Sequence, residues 1–225
     1  GTVHRLNVEA TLNIINCAAR QGINKMVITS TAGILGPSAG QPVDERTPPP
    51  GTFFTPYESS KWEMEQAIAR LPVNDPQVVI VNPTRVYGPG LLSESNGVTR
   101  MLARYIQGKW KLIPGNGYKS GNYVYIEDVV TGHILAMEKG KPGERYVLGG
   151  ENINYRQLFD LTREISGVSY RLFPVPLWLM LSASWLMKLY SRLSGKAPLI
   201  VPGLVRKFSH HWIVSSLKAR EQLGY

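Results

Sequence analysis

The sequence predicts an α/β fold: a parallel sheet covered by helices, followed by a smaller, mostly helical C-terminal lobe. Three observations carry this. The apolar runs KMVITS (25–30) and QVVIVN (77–82) flank a helical segment that begins at Tyr57, and NYVYI (122–126) and RYVLG (145–149) flank another near 127–138. Strand, helix and strand in succession join parallel strands. The unbroken VVIV run suits a strand buried on both faces. After residue 150 the pattern turns almost wholly helical.

Residues 3–20 open the chain as a helix, with Val8, Leu12, Ile15 and Ala19 at helical spacing and Gly22 just past the end. The loop 36–56 is long and rich in Pro and Gly, a length often used for function. From Tyr57, the residues Trp62, Met64, Ile68 and Leu71 favour helix over alternating strand. NYRQLFDLTREISG reads as a helix capped by Asn154 and stopped at Gly167. VPLWLMLSASWLMKLYSRL (175–193) is an unusually apolar helix, too short and serine-interrupted for a membrane span; it is expected to be buried or to act as a lid, with attachment at a membrane interface as the lesser alternative. SSLKAREQLGY (215–225) makes a last short helix with a serine cap.

A chain of 225 residues with 43% hydrophobic content supports one substantial core and a smaller appended lobe. The net charge of +9 is uneven: residues 1–100 hold eight Lys/Arg and eight Asp/Glu, and residues 101–225 hold seventeen and eight. The basic residues are scattered singly, so a solvated surface is expected rather than nucleic-acid binding. Membrane-surface contact is not expected either. Cys17 is the only cysteine, which excludes an internal disulfide and fits a reducing, cytoplasmic setting. His133, His210 and His211 show no metal-ligand spacing.

The segment TPYESSKWEMEQAI (55–68) sets Tyr57 four residues ahead of Lys61. On a helix the two share a face, and an ammonium beside a phenol lowers the tyrosine's pKa. That is one way to make tyrosine an acid or base near neutral pH. Alone, the spacing is equally that of a packed ring beside a solvated amine. Three further stretches supply context: NVEATLNIINCA (7–18), KMVITSTAGILGP (25–37) and VVIVNPTRVYGPG (78–90). With YESSK, and with NYVYIEDVVTGHILAMEKGKPGERYVLGGENI (122–153) and the KAREQLGY tail, they stand in the order and rough spacing of a known family. Over nearly its whole length the chain resembles the extended short-chain dehydrogenase/reductases of the NAD-dependent epimerase/dehydratase family. Within them it looks closest to the dihydroflavonol and aldehyde reductase branch.

The resemblance implies a Rossmann-like, doubly wound parallel sheet. Residues 1–150 would be the C-terminal portion of the dinucleotide-binding domain, with 89–121 inserted toward the substrate lobe, and 151–225 would form that lobe. It makes Tyr57 the catalytic acid/base and Lys61 its partner, also bonded to the nicotinamide ribose. Thr31 is the catalytic hydroxyl and Asn7 the organiser of a proton relay. Thr29 and Ser30 lie near the cofactor, NADP or NAD, and Pro83, Thr84, Arg85 and Val86 pass the nicotinamide. The bland alternatives are a strand-end turn for Ser30 and Thr31 and a helix cap for Asn7. Ala10 replaces the glycine usual in NVxGT.

The expected activity is hydride transfer between nicotinamide and a carbonyl or alcohol substrate, hydrophobic in view of residues 171–190, by a homodimer. The alternatives are a nucleotide-sugar epimerase or dehydratase, with Arg104, Lys109, Lys111, Arg145 and Arg206 available to grip a diphosphate, and a non-catalytic scaffold. No GxGxxG occurs and the chain opens inside a helix without an initiating methionine, so a longer protein is expected, its pyrophosphate turn ahead of residue 1. The piece alone is expected to be poorly soluble.

Overall fold

The computed structural model describes residues 2–71, 76–90, 96–195 and 200–225. The first helix comes in three parts: α1 (Thr2–His4), a π turn over Arg5–Glu9 and α2 (Ala10–Arg20). Gly22 follows with φ +69°, the left-handed conformation that ends helices. β1 (Lys25–Thr29) leads through a 3₁₀ turn at Ala32–Leu35 and a long loop to α3 (Pro56–Ile68). Next come β2 (Gln77–Pro83), β3 (Arg85–Tyr87) and α4 (Gly97–Ile106). β4 (Leu112–Pro114), β5 (Ser120–Tyr125), α5 (Ile126–Lys139) and β6 (Arg145–Leu148) follow. The remainder is β7 (Glu151–Asn154), α6 (Tyr155–Ser166), β8 (Phe173–Val175), α7 (Leu177–Ser194), α8 (Pro202–Lys207) and α9 (Leu217–Leu223).

β2 is the centre of the main sheet, parallel to β1 on one side and to β6 on the other, with Ile28 opposite Ile80 and Val81 opposite Tyr146. Successive side chains of a strand point to opposite faces. Val79 and Val81 accordingly enter a core with Val129 and Ala136 of α5, while Val78 and Ile80 enter another with Ile15 of α2 and Met64 and Ile68 of α3. One strand thus serves two helix layers, which is the doubly wound arrangement. Burying each such valine or isoleucine contributes about 1.5–3 kcal/mol. A second sheet runs β3-β5-β7, and β4 pairs with β8.

Two expectations need correction. α9 does not stay with the smaller lobe beyond residue 150: its Ala219 and Leu223 are fully buried against α5 and the main sheet. Nor is α7 a buried helix. Its one fully buried residue is Ser184, and Trp178, Trp185, Leu186, Leu189, Tyr190 and Leu193 are exposed. α4 and α6 pack against each other through Met101, Tyr105, Leu158 and Phe159. Of the expected insertion 89–121, residues 91–95 lie outside the described residues.

Candidate active site

The first turn of α3 is fixed by its cap. Thr55 Oγ1 accepts from Glu58 N, and Glu58 Oε2 accepts from Thr55 N at 3.2 Å and from Phe54 N at 3.1 Å. Pro56 occupies the first helical position, where its missing N–H costs nothing. The buried Glu58 carboxylate also takes Lys207 as its ion-pair partner. A helix clamped in this way holds Tyr57, Lys61 and Glu65 on one face, one turn apart.

Lys61 reaches from that face to the carboxyl end of β1, where its Nζ donates to the Thr29 carbonyl at 2.9 Å. The Thr29 hydroxyl meets His133 Nε2 at 2.9 Å, while His133 Nδ1 lies 2.7 Å from the Val129 carbonyl. A carbonyl can only accept, so Nδ1 carries the hydrogen, and in the neutral imidazole Nε2 accepts from the threonine. Two residues on, Thr31 is extended and its Oγ1 accepts from Gly33 N at 3.1 Å. That bond uses a lone pair and leaves the O–H to donate. A Cβ on Gly33 would lie 3.2 Å from Glu58 Oε1 and 3.4 Å from Thr31 Oγ1, so the Thr31 turn rests directly on the start of α3. Ser30 is buried, and its Oγ has no hydrogen-bond partner among the described residues.

Asn7 is no helix cap. It stands inside the π turn, donating to Ser60 Oγ at 2.8 Å, and Ser60 donates in turn to the Tyr57 carbonyl at 2.9 Å. π turns inside helices are frequent at functional sites. The segment Pro83–Val86 also leaves the end of β2, but its side chains are largely engaged. Thr84 donates to Asn122 Oδ1 at 2.7 Å, and Val86 packs on the core around Val79. The Arg85 guanidinium lies between the rings of Tyr123 and Tyr155 and donates to both hydroxyls, in space that Gly121 leaves by lacking a Cβ.

Sequence reasoning missed the polar groups beneath Thr31. Asn82, wholly buried at the end of β2, donates to the Thr31 carbonyl at 3.3 Å and to Glu65 Oε1 at 2.7 Å. Glu65 Oε2 pairs with Arg145 at 3.3 Å, and Arg145 also donates to the Glu45 carbonyl. The signal was present: an asparagine ends an otherwise apolar strand, and Glu65 continues the Tyr57–Lys61 spacing. Arg145 is therefore spent on a buried carboxylate and is corrected as a diphosphate ligand. Among the described residues no group of three or more His, Cys, Asp or Glu is placed to hold a metal.

The expected lowering of the Tyr57 pKa also needs correction. Burial pushes the phenol above its ordinary value and the Glu58 carboxylate adds to this, while the Lys61 ammonium points to the Thr29 carbonyl. Burial lowers the Lys61 pKa, partly opposed by Glu65. In cofactor-free protein, the ultraviolet difference titration of wild type against Tyr57→Phe is expected to show a phenol that ionises later than an ordinary tyrosine. It would hold its proton throughout the neutral range, since a raised pKa keeps the protonated form to higher pH. Ionisation below about pH 9 would restore the lowered value.

The sequence model of the NAD dependent epimerase/dehydratase family matches residues 1–149. The chain belongs to this family. A Synechocystis protein that carries the name dihydroflavonol 4-reductase is 29% identical over 99% of the chain, and the chain spans 65% of that relative's length. The crystal structure of gox2253 is 30% identical with a TM-score of 0.78, covered over 100% of this chain and 68% of that one. The UDP-glucose 4-epimerase of Thermotoga maritima, solved with UDP-glucose, is 25% identical with a TM-score of 0.75, over 99% and 64% of the two chains. The doubly wound sheet is thus the family's Rossmann fold. The residues at the strand ends suit the family's nicotinamide cofactor: of the three Lys61 ammonium hydrogens, one goes to the Thr29 carbonyl and one to Met64 Sδ, which leaves one to donate to a bound group.

Proposed function

We propose that this chain carries the catalytic half of an NAD(P)-dependent oxidoreductase acting on a carbonyl or alcohol carbon. The observation that supports it is the seating of a capped helix, with Tyr57 and Lys61 one turn apart, on the end of β1: Lys61 donates to the Thr29 carbonyl, and the turn of the Thr31 hydroxyl lies against Glu58 at the helix start. When bound, the cofactor supplies or takes the hydride. The Thr31 O–H donates to the substrate oxygen and stabilises negative charge developing there. The Tyr57 phenol, protonated at neutral pH, gives its proton to that oxygen in the reducing direction. Lys61, fixed by its bond to the Thr29 carbonyl, holds the ribose. Asn7 and Ser60 steady the turn from which Tyr57 projects.

In the full-length protein, Lys61→Ala is expected to weaken NAD(P)H affinity about tenfold, the value of one charge-assisted hydrogen bond, and to lower turnover as well. Titration of cofactor fluorescence checks the first effect, and an unchanged affinity would remove the ribose role. The epimerase likeness supports a second reading, in which hydride returns to the same sugar nucleotide. Net consumption of NAD(P)H with simple carbonyl compounds separates the two, since an epimerase consumes none. The partner we propose besides substrate is a second copy of the chain, met through exposed apolar residues of the first helix such as Leu6 and Ile14.

A further inference from the structure

α7 covers little of its apolar surface. Leu177, Met180, Leu181, Met187, Lys188 and Ser191 are only part-buried, and Ser184 alone is fully buried. Its exposed side carries Trp178, Trp185, Leu186, Leu189, Tyr190 and Leu193, with Trp178 70%, Leu186 68% and Leu193 82% exposed. A soluble helix normally turns its serines to water and its leucines inward. An exposed apolar patch of this kind marks a contact surface. α8 packs beside α7 and adds exposed Val201 and Leu204.

The charge around this patch says what meets it. Between Glu164 and Glu221 the sequence has no acidic residue and eight Lys or Arg, of which Lys207 and Lys218 pair with Glu58 and Glu144. Lys188 and Arg192 lie on α7 itself, and Lys188 Nζ sits 5.0 Å from the centre of the Trp185 ring, its stem along the apolar face. Arg206 is exposed on the adjoining α8. Tryptophans and leucines on one side with basic residues at the flank are the composition of helices that lie in the plane of a membrane interface. No helix among the described residues is long and apolar enough to cross a bilayer. A second copy fits poorly, because an isologous contact would set these cations against their own counterparts with no carboxylate in the segment to pair them.

We propose that the outward face of α7 docks the protein on an anionic lipid surface. The sequence favours a buried or lid helix over attachment at an interface, and the exposed face of α7 reverses that order. The surface lies on the smaller lobe, so docking would also present that lobe to apolar substrates dissolved in the bilayer.

The test floats the full-length protein with phosphatidylcholine vesicles, with and without phosphatidylglycerol, and follows tryptophan emission. Binding is expected on the anionic vesicles, with a blue shift and loss at high salt. Lys188→Gln/Arg192→Gln is expected to lower the partition coefficient about thirtyfold, the value of two basic residues at a charged surface. Trp178→Ser/Trp185→Ser is expected to abolish the blue shift while leaving the circular dichroism unchanged, since both side chains are outside the core. Failure to bind either vesicle overturns the proposal, as does equal binding to both. So does an oligomer in solution that the tryptophan variant dissociates, which would assign the face to a second copy. Because wild-type binding is compared across lipids, a variant that fails to fold leaves the test intact.

Discussion

Tyr57→Phe in the full-length protein is expected to lower kcat by about a thousandfold while leaving NAD(P)H affinity within about twofold of wild type. The size follows from the role: a positioned general acid contributes about 10²–10⁴. Only the hydroxyl is removed, and Tyr57 is 47% exposed, so stability should move by no more than about 0.5 kcal/mol. The split identifies the function. Loss of a group that acts only in the transition state lowers kcat and kcat/KM together. Single-turnover oxidation of bound NAD(P)H measures it. A variant that still reduces carbonyl substrates at the wild-type rate would end the assignment of Tyr57 as proton donor.

Much of the frame was readable because the relevant residues signal locally. β2 announced itself by an apolar run, and α6 by Asn154 and Gly167, which do form a capping box with Gln157 and a left-handed stop. The three-residue strands β3, β4 and β8 carry too few side chains for any period to show. α7 was legible as a helix but not in orientation. With large apolar residues on most of its circumference, its sequence does not say which side is covered. At the site, the Tyr57–Lys61 spacing was plain, yet spacing does not tell where a flexible lysine points. The Thr29 carbonyl took it, and the phenol pKa rose where the sequence suggested a fall. The network under Thr31 was out of reach for another reason: Asn82 meets residues 51 and 17 positions away, and Arg145 meets one 80 positions away.

That network carries the second large effect. Glu65 is 4% exposed and balances Arg145 while accepting from Asn82, so Glu65→Leu removes both contacts at once. Breaking a buried pair leaves an uncompensated charge and costs about 3–5 kcal/mol; with Arg145 only part-buried, we expect the lower end, about 3 kcal/mol. For a domain of this size that is a fall of about 6 °C or more in Tm. Glu65→Gln keeps an acceptor for Asn82 and loses only the charge, so it should cost less. The two variants also separate packing from positioning. Asn82 ties α3 to the Thr31 carbonyl through a 3.3 Å bond, and without Glu65 the Asn82 amide loses the 2.7 Å bond that fixes it. In Glu65→Leu, measured well below its melting point, kcat is expected to fall by about tenfold or more, because misplacement of a reacting group by about 1 Å costs up to a hundredfold. Glu65→Gln should recover most of that rate while remaining less stable than wild type. Equal rates in wild type and Glu65→Leu, alongside the lowered Tm, would show that the network supports the fold and leaves Thr31 where it is.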